Sequence, residues 1–467
     1  MKSSQKGSHE AALRIIHDPY DGSEVGRVHY QSLYEATAAI DRAAEAFHTS
    51  RESTSGERSR LLRRIADSIH ARNEEFAQLI TRESGKPIDY SRGEVTRAVV
   101  TFTAASHAAA RASVGEVLDL SIASAGAGVR ASYRYFPLGV IYAITPFNFP
   151  LNLVAHKVAP AIAAGNTVVL KPAAQTPLTS ELLLDVMRSA GASEQLLQIV
   201  HCDNEVAQAM LDHPAVRMLS FTGSALVGWR LKQLAKRARV TLELGGNGMM
   251  IVDEIEDEVA LVNEIVIATF GYAGQVCIGL QNLLIGRHYY ERLLSKIVEA
   301  SQQLQLGDPK QQGSVCGPII SAQATDVIEK KIADAIGSGS TRLTGKRVGD
   351  NQISPTVMTN VSRDSELWAE EIFGPVLNVA PYDTFEDALD VVNESRYGLQ
   401  ISVYTNDSRK IDQAYHRLEV GGVIVNRPLT FRVDTMPYGG AKDSGFGLEG
   451  VEYAMREMSQ LRLLVVG

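Results

Sequence analysis

Cysteine is scarce: among 467 residues there are three, Cys202, Cys277 and Cys316, with no CxxC pair and no metal-ligand spacing. That excludes a disulfide framework and a zinc cluster, so no metal is expected. An odd, sparse set of thiols suits a reducing compartment with one thiol kept for chemistry. Long apolar runs are absent too. Nothing approaches the ~18 consecutive apolar residues of a membrane-spanning helix. The polar opening MKSSQKGSHE lacks the apolar centre of a secretory signal. No membrane partner is expected, and the cytoplasm is the expected location. Basic charge is not in excess either. A net charge of −8 argues against a general nucleic-acid binder. Internal repeats and low-complexity tracts are missing, and 45% hydrophobic against 21% charged residues excludes long disorder.

What is present is enough chain for two or three domains. From Leu33 to Phe47 apolar residues recur at three- and four-residue steps, and Leu61, Ile65, Ile69, Phe76 and Ile80 continue that spacing through the next long segment. Both stretches read as amphipathic helix, stopped at Gly85-Lys86-Pro87. After about residue 138 short apolar runs alternate with helical segments. Strands are expected at Val140–Ile144, Thr167–Leu170, Leu197–Val200, Met218–Phe221 and Val240–Leu244. Helices are expected at Leu178–Ala190, Glu205–Leu211 and Ala225–Ala238. A second series, from about 256 to 435, gives strands at Leu283–Ile285, Val376–Pro381, Leu399–Tyr404 and Gly422–Val425. Gly337 to Gly349, rich in Gly, Ser and Thr, reads as a loop. Such alternation predicts an α/β fold with parallel sheets, whose ligands sit beyond the carboxyl ends of the strands.

Five segments beside the strands could carry chemistry. Cys277 follows Gly274 where a helical pattern gives way to a strand. Either it is a small buried hydrophobe, or a thiolate placed to attack a carbonyl carbon. Glu243 closes an apolar strand before the pair Gly245-Gly246. It reads as a solvated strand end or as a general base for water. Asn148 lies between Pro146 and Pro150. It caps the following helix, or it is a fixed amide donor for an oxyanion, whose loss costs about 3 to 4 kcal/mol. Lys171 ends a buried strand, and Gly223-Ser224 opens a helix. A lysine and free helix N–H groups suit a ribose and a diphosphate, although the spacing is not GxGxxG and an ordinary turn would look the same.

The order of PFNFP (146–150), VVLKPA (168–173), FTGS (221–224), ELGG (243–246), GQVC (274–277), EEIFGPV (370–376) and PYGGAKDSGFG (437–447) resembles the aldehyde dehydrogenase superfamily, from about residue 18 to 465. That resemblance implies a Rossmann-like cofactor domain at 1–113 and 138–245, and a catalytic domain at 246–445. A β oligomerisation arm at 114–137 and 446–467 would build a homodimer or homotetramer. It implies NAD or NADP as cofactor and a small-molecule aldehyde as substrate. Cys277 would be the nucleophile, Asn148 with the Cys277 N–H the oxyanion hole, and Glu243 the base that hydrolyses the thioester. Glu449 would be a secondary proton acceptor, with Lys157 near the oxyanion asparagine. Thr145, Pro146, Phe147, Lys171, Ala174, Gly223, Ser224, Gly245, Glu371 and Phe373 would hold the cofactor. The presence of Glu243 favours release of the free acid over transfer to coenzyme A.

Within the superfamily the closing segment resembles lactaldehyde and phosphonoacetaldehyde dehydrogenases. Ala174 stands where many NAD-specific members place a glutamate, which leaves NADP admissible. Val276 and Asn282 stand where phosphate-handling relatives carry arginine. An anionic tail could instead meet Arg97, Arg427 or Arg432, each of which could equally serve a salt bridge; Leu151 and Leu280 add no charge to the pocket. A specialised oxidiser of semialdehydes or phosphonoaldehydes, a catalytically silent binding relative, and a cofactor-free cysteine hydrolase with His156 nearby are the competing readings.

Overall fold

The computed structural model describes residues 13–112, 115–304 and 306–467. The polar N-terminal residues and the boundary drawn between 113 and 114 lie outside that set. Four helices, Leu33–Ser50, Ser55–Ala71, Asn73–Ser84 and Ile88–Arg111, form the first layer. Ser32 with Glu35, and Thr54 with Glu57, close reciprocal capping boxes on the first two. The spacing from Leu61 to Ile80 suggests a single segment, yet the chain breaks at Arg72, with φ −106° and ψ 24°. Both halves still bury their stripes, Leu62, Ile65 and Ile69 in one, Phe76 and Ile80 in the other. The stop falls at Gly85, which adopts the left-handed φ of 69°. A hairpin, Leu13–His17 with Glu24–His29, precedes the helices. Most of its residues are exposed or half-buried, so no apolar alternation announced it.

The first large sheet runs, edge to edge, Gly445–Phe446, Arg239–Glu243, Val216–Thr222, Val140–Ile144, Thr167–Lys171 and Leu197–Ile199, parallel except at Gly445–Phe446. The middle strands are fully buried because helices cover both faces. Ile141, Ala143, Val168 and Leu170 pack on one side, Val140, Tyr142, Ile144 and Val169 on the other. The chain winds outward from Val140–Ile144 to Leu197–Ile199, then returns to the opposite side with Val216–Thr222. Val140–Ile144 is therefore the point where the strand order reverses, and its carboxyl end opens on a crevice. The helices that follow are shorter than their apolar patterns: Leu178–Ser189, Asn204–Ala209 and Ala225–Leu234.

The second sheet has seven strands in the order Thr341–Thr344, Thr356–Thr359, Val376–Tyr382, Asn282–Gly286, Met249–Val252, Gln400–Tyr404 and Gly422–Val425. Only the first pair is antiparallel. The stretch Gly337 to Gly349 is thus not a loop throughout. Thr341–Thr344 is an edge strand, and Arg347–Gly349 pairs with Gln352–Ile353. Its residues are exposed or half-buried, so it needs no apolar run. Met249–Val252, wholly buried near the centre, is a further strand absent from the expected set. A three-stranded antiparallel sheet, Ser459–Val466, Arg130–Pro137 and Glu116–Leu118, stands apart.

Candidate active site

Cys277 rides a tight loop between the helix Glu258–Phe270 and the strand Asn282–Gly286. Tyr272, Ala273 and Gly274 take φ of 53°, 52° and 69° in succession, a strained run for two residues that carry a Cβ. At Gly274 a Cβ would collide with the carbonyl of Gly374. Buried Gln275 pins the loop: its amide donates to the carbonyls of Tyr272 and Pro318 and accepts from Ile320 N–H.

The loop after Val140–Ile144 meets this turn directly. The Asn148 Nδ2 donates to the Gln275 carbonyl at 2.8 Å, so one amide hydrogen is spent holding the side chain and the other remains. The helix Asn152–Ala164 that follows is capped by Glu94, whose carboxylate accepts from Leu151 N–H at 2.8 Å and Asn152 N–H at 3.0 Å. The other Glu94 oxygen pairs with Lys86, both fully buried. The Lys86 ammonium lies 3.7 Å over the Phe149 ring and 4.9 Å from that of Tyr272. One ion pair thus ties the asparagine loop to the cysteine loop. Sequence reasoning missed Glu94, because a glutamate in an amphipathic helix looks like a solvent-facing one.

Four charged side chains share the interior. Glu243, at the end of Arg239–Glu243, is buried with both carboxylate oxygens unpartnered. Burial pushes its carboxyl well above the usual range, and Glu449 adds to the push against Arg432 and Lys157. Glu449 is the reverse case. Burial alone would raise it, but Lys157, His156 and Arg432 outweigh that and bring it down to about 2. Lys157 donates to Glu449 at 2.9 Å and to Ser220 at 3.2 Å. Arg432 reaches Glu449 at 3.3 Å, lies 3.6 Å over the Tyr438 ring, and leaves its Nε without a partner. Cys277 is half-buried, its Sγ 3.2 Å from the Tyr438 hydroxyl. Burial raises the thiol, while Tyr438 and Arg432 oppose that rise. Tyr438 was not singled out in the sequence, since a tyrosine before two glycines reads as turn filler.

Other expected residues fall elsewhere. Arg97 is bound to Asp434 through two bonds of 2.7 and 3.1 Å, and Asp434 also takes His156 at 2.8 Å and Asn152 at 3.0 Å. Arg97 is therefore a salt-bridge arginine, and His156 makes no bond to Cys277. Leu151 is wholly buried in the core beneath the loop rather than lining a pocket. Val276 does pack beside Cys277, with Ile278, Leu399 and Tyr438. Asn282 is spent on Trp368 and Asn378, and Arg427 stacks on Phe431.

At the carboxyl ends of the first sheet lie Thr145, Pro146 and Phe147, buried Lys171, and Gly223 with exposed Ser224, which precedes Ala225–Leu234 and makes no side-chain capping bond to it. Ala174 is exposed just beyond Lys171. Facing them, Gln281 holds the segment Glu370–Phe373 through Glu370 O and Ile372 N–H. That places Glu371 against Gly245 and Gly246, where a Cβ on Gly245 would collide with the carboxylate. Gly246 N–H donates to it at 3.3 Å, and burial raises Glu371 to about 7. Phe373, at φ 53°, packs edge-on to Phe147 with centroids 5.8 Å apart. The residues fit a dinucleotide: the hydroxyls of Thr145 and Thr222 are buried without partners, Lys171 supplies a cation, and a helix N-terminus opens toward the crevice. Among the described residues no His, Cys, Asp and Glu group has metal-binding geometry, and no helix is long and apolar enough to cross a membrane.

Two α/β sheets meeting at a cysteine, with a cofactor crevice at the strand reversal, place the chain in a known class. It belongs to the aldehyde dehydrogenase family, whose model it matches over residues 6–464. It is 39% identical to the 3-sulfolactaldehyde dehydrogenase of Priestia megaterium over 415 residues, 88% of this chain and 86% of that one. Aldehyde dehydrogenase 21 of Physcomitrella patens, solved with the reaction product succinate, superimposes with a TM-score of 0.95 at 36% identity, covering 98% of this chain and 95% of that one. Glyceraldehyde-3-phosphate dehydrogenase of Methanocaldococcus jannaschii, solved with NADP, gives 0.92 at 33% identity, covering 98% and 99%. The expected α/β fold is the fold of that family.

Proposed function

We propose that this chain oxidises an aldehyde to its carboxylic acid through a thioester on Cys277 that water, activated by Glu243, hydrolyses. Glu243 carries the reading: a buried carboxylate with two free oxygens, in the same charge cluster as the cysteine. The Cys277 thiolate attacks the carbonyl carbon, and the remaining Asn148 amide hydrogen meets the oxyanion. Lys171, Ser224, Glu371 and Phe373 would hold NAD or NADP, which would accept the hydride released as the thiohemiacetal becomes a thioester. Glu243 then takes a proton from water, and its raised pKa makes it a stronger base than a surface glutamate. Because it must be ionised to do so, turnover falls as pH drops through that pKa.

The test is Glu243→Gln, followed by rapid mixing with aldehyde and cofactor. One equivalent of reduced cofactor should form, followed by turnover at least ~100-fold slower than in the parent. Undiminished steady turnover, or rescue of the parent rate by coenzyme A as acyl acceptor, would overturn it. The exposed Ala174 puts no carboxylate against a 2′-phosphate, so both cofactors should serve.

A second reading is favoured by one observation: Arg432 is nearly buried beside Cys277, with a free Nε. A guanidinium held there suits an aldehyde with an anionic tail. The sulfonated and carboxylated compounds named for the two relatives above accord with that.

A further inference from the structure

We propose that Tyr438 is a further catalytic residue, its hydroxyl donating to Cys277 Sγ and stabilising the thiolate form of the nucleophile. The inference rests on Cys277 as the nucleophile and concerns how that sulfur is made reactive. The oxygen lies 3.2 Å from the sulfur. It is the only side-chain hydrogen-bond partner of Cys277 among the described residues, and Asn148 bonds to the Gln275 carbonyl rather than to the sulfur.

Several constraints fix the ring. Its backbone exchanges two hydrogen bonds with Glu449, Tyr438 N–H to Glu449 O at 3.1 Å and the reverse at 2.7 Å. Arg432 covers one face at 3.6 Å, and Ile278 and Leu399 pack against it. The phenol therefore has little freedom to turn away from the sulfur.

The direction of the bond follows from which group keeps its proton. Burial holds the Tyr438 phenol well above its ordinary range, and the neighbouring Cys277 adds to that, against Arg432. Of the two groups, the thiol is the one that ionises. A protonated phenol 3.2 Å from an anionic sulfur can only donate. Among the charged groups that bear on the thiol, Arg432 favours the anion, while Glu371 and Glu243 oppose it. Burial and the two carboxylates hold the thiol above its ordinary range, and the phenol is the side-chain hydrogen bond that counters them. No bond to carbon or oxygen changes in this step: the thiol proton departs to solvent, and the phenol proton stays on its oxygen throughout.

Tyr438→Phe tests it, since the ring, its cover by Arg432 and the backbone pairing remain. The readout is the pH dependence of Cys277 alkylation by iodoacetamide, in purified protein without aldehyde or cofactor, against a Cys277→Ala background. A hydrogen bond to a charged sulfur lost here should raise the apparent thiol pKa by about one unit and slow alkylation at neutral pH by about tenfold. The acid limb of kcat/KM should move the same way. An unchanged alkylation profile in a folded variant would overturn the proposal. Should the variant fold poorly, the far-ultraviolet thiolate absorbance of the parent minus Cys277→Ala decides it. That signal must rise with a midpoint shared by the acid limb of kcat/KM, and two unrelated midpoints would refute the idea. Alkylation needs no acyl transfer, so it can fail or succeed independently of the Glu243→Gln experiment.

Discussion

At the scale of single residues, two of the three arginines that looked equivalent in the sequence divide. Arg97 spends its charge on Asp434, 337 residues away, whereas Arg432 keeps an unpartnered Nε inside the site. Arg432→Gln should therefore lower kcat/KM for a carboxylated or sulfonated aldehyde about 10- to 100-fold more than for a neutral one of equal length, from the ~1.5–3 kcal/mol of a charged hydrogen bond. An equal loss for both substrates in steady-state assays would place Arg432 in support of Glu449 and Tyr438 alone. Glu243 and Asn148 were legible as candidates because each stands at or just past a strand end beside glycine or proline, where α/β sheets present ligands, and Cys277 because it follows a glycine where a helix gives way to a strand. The pairing of Arg97 with Asp434 was not, because it depends on how two distant loops meet. The bond from Tyr438 to the sulfur was hidden for the same reason.

Among the elements, most strands buried on two faces were readable from apolar runs, although Met249–Val252 and Thr356–Thr359, buried throughout, were not. Thr341–Thr344 and the N-terminal hairpin escaped because edges need no such run. Glu94 and Lys86 escaped because burial of an ion pair is decided by neighbours, not by local pattern. Their pair caps Asn152–Ala164 and joins two loops of the site, so Glu94→Gln leaves an uncompensated buried ammonium. A loss of about 3–5 kcal/mol is expected by denaturant titration, much of it recovered in the double variant with Lys86→Met. Simple additivity of the two single changes would show that the pair carries no coupling.

For the whole molecule, the three-stranded sheet is the part with no core of its own. Ser459–Val466 is an outer strand, and Leu461, Leu463, Leu464, Val465 and Val466 are all exposed. We propose that a second copy of the chain covers this surface, since an uncovered apolar edge invites pairing. Leu464→Glu should cost a lone chain within about 0.5 kcal/mol, as surface changes do. It should nevertheless reduce the sedimenting species toward a monomer. No change in sedimentation would remove this strand from the interface.

The charges around Cys277 also set an order of events. Lys157 and Arg432 bring two positive charges into the interior, and Glu449 cancels one of them. The sulfur and Glu243 both draw on the remaining positive charge, and an ionised Glu243 makes the sulfur harder to ionise. On the proposed course the sulfur carries the negative charge first, with Glu243 neutral and unable to summon water. Once the sulfur is acylated it no longer claims the charge, and the carboxylate becomes free to take it. On that proposed course the pocket would act as an interlock: water is activated only after there is a thioester for it to attack.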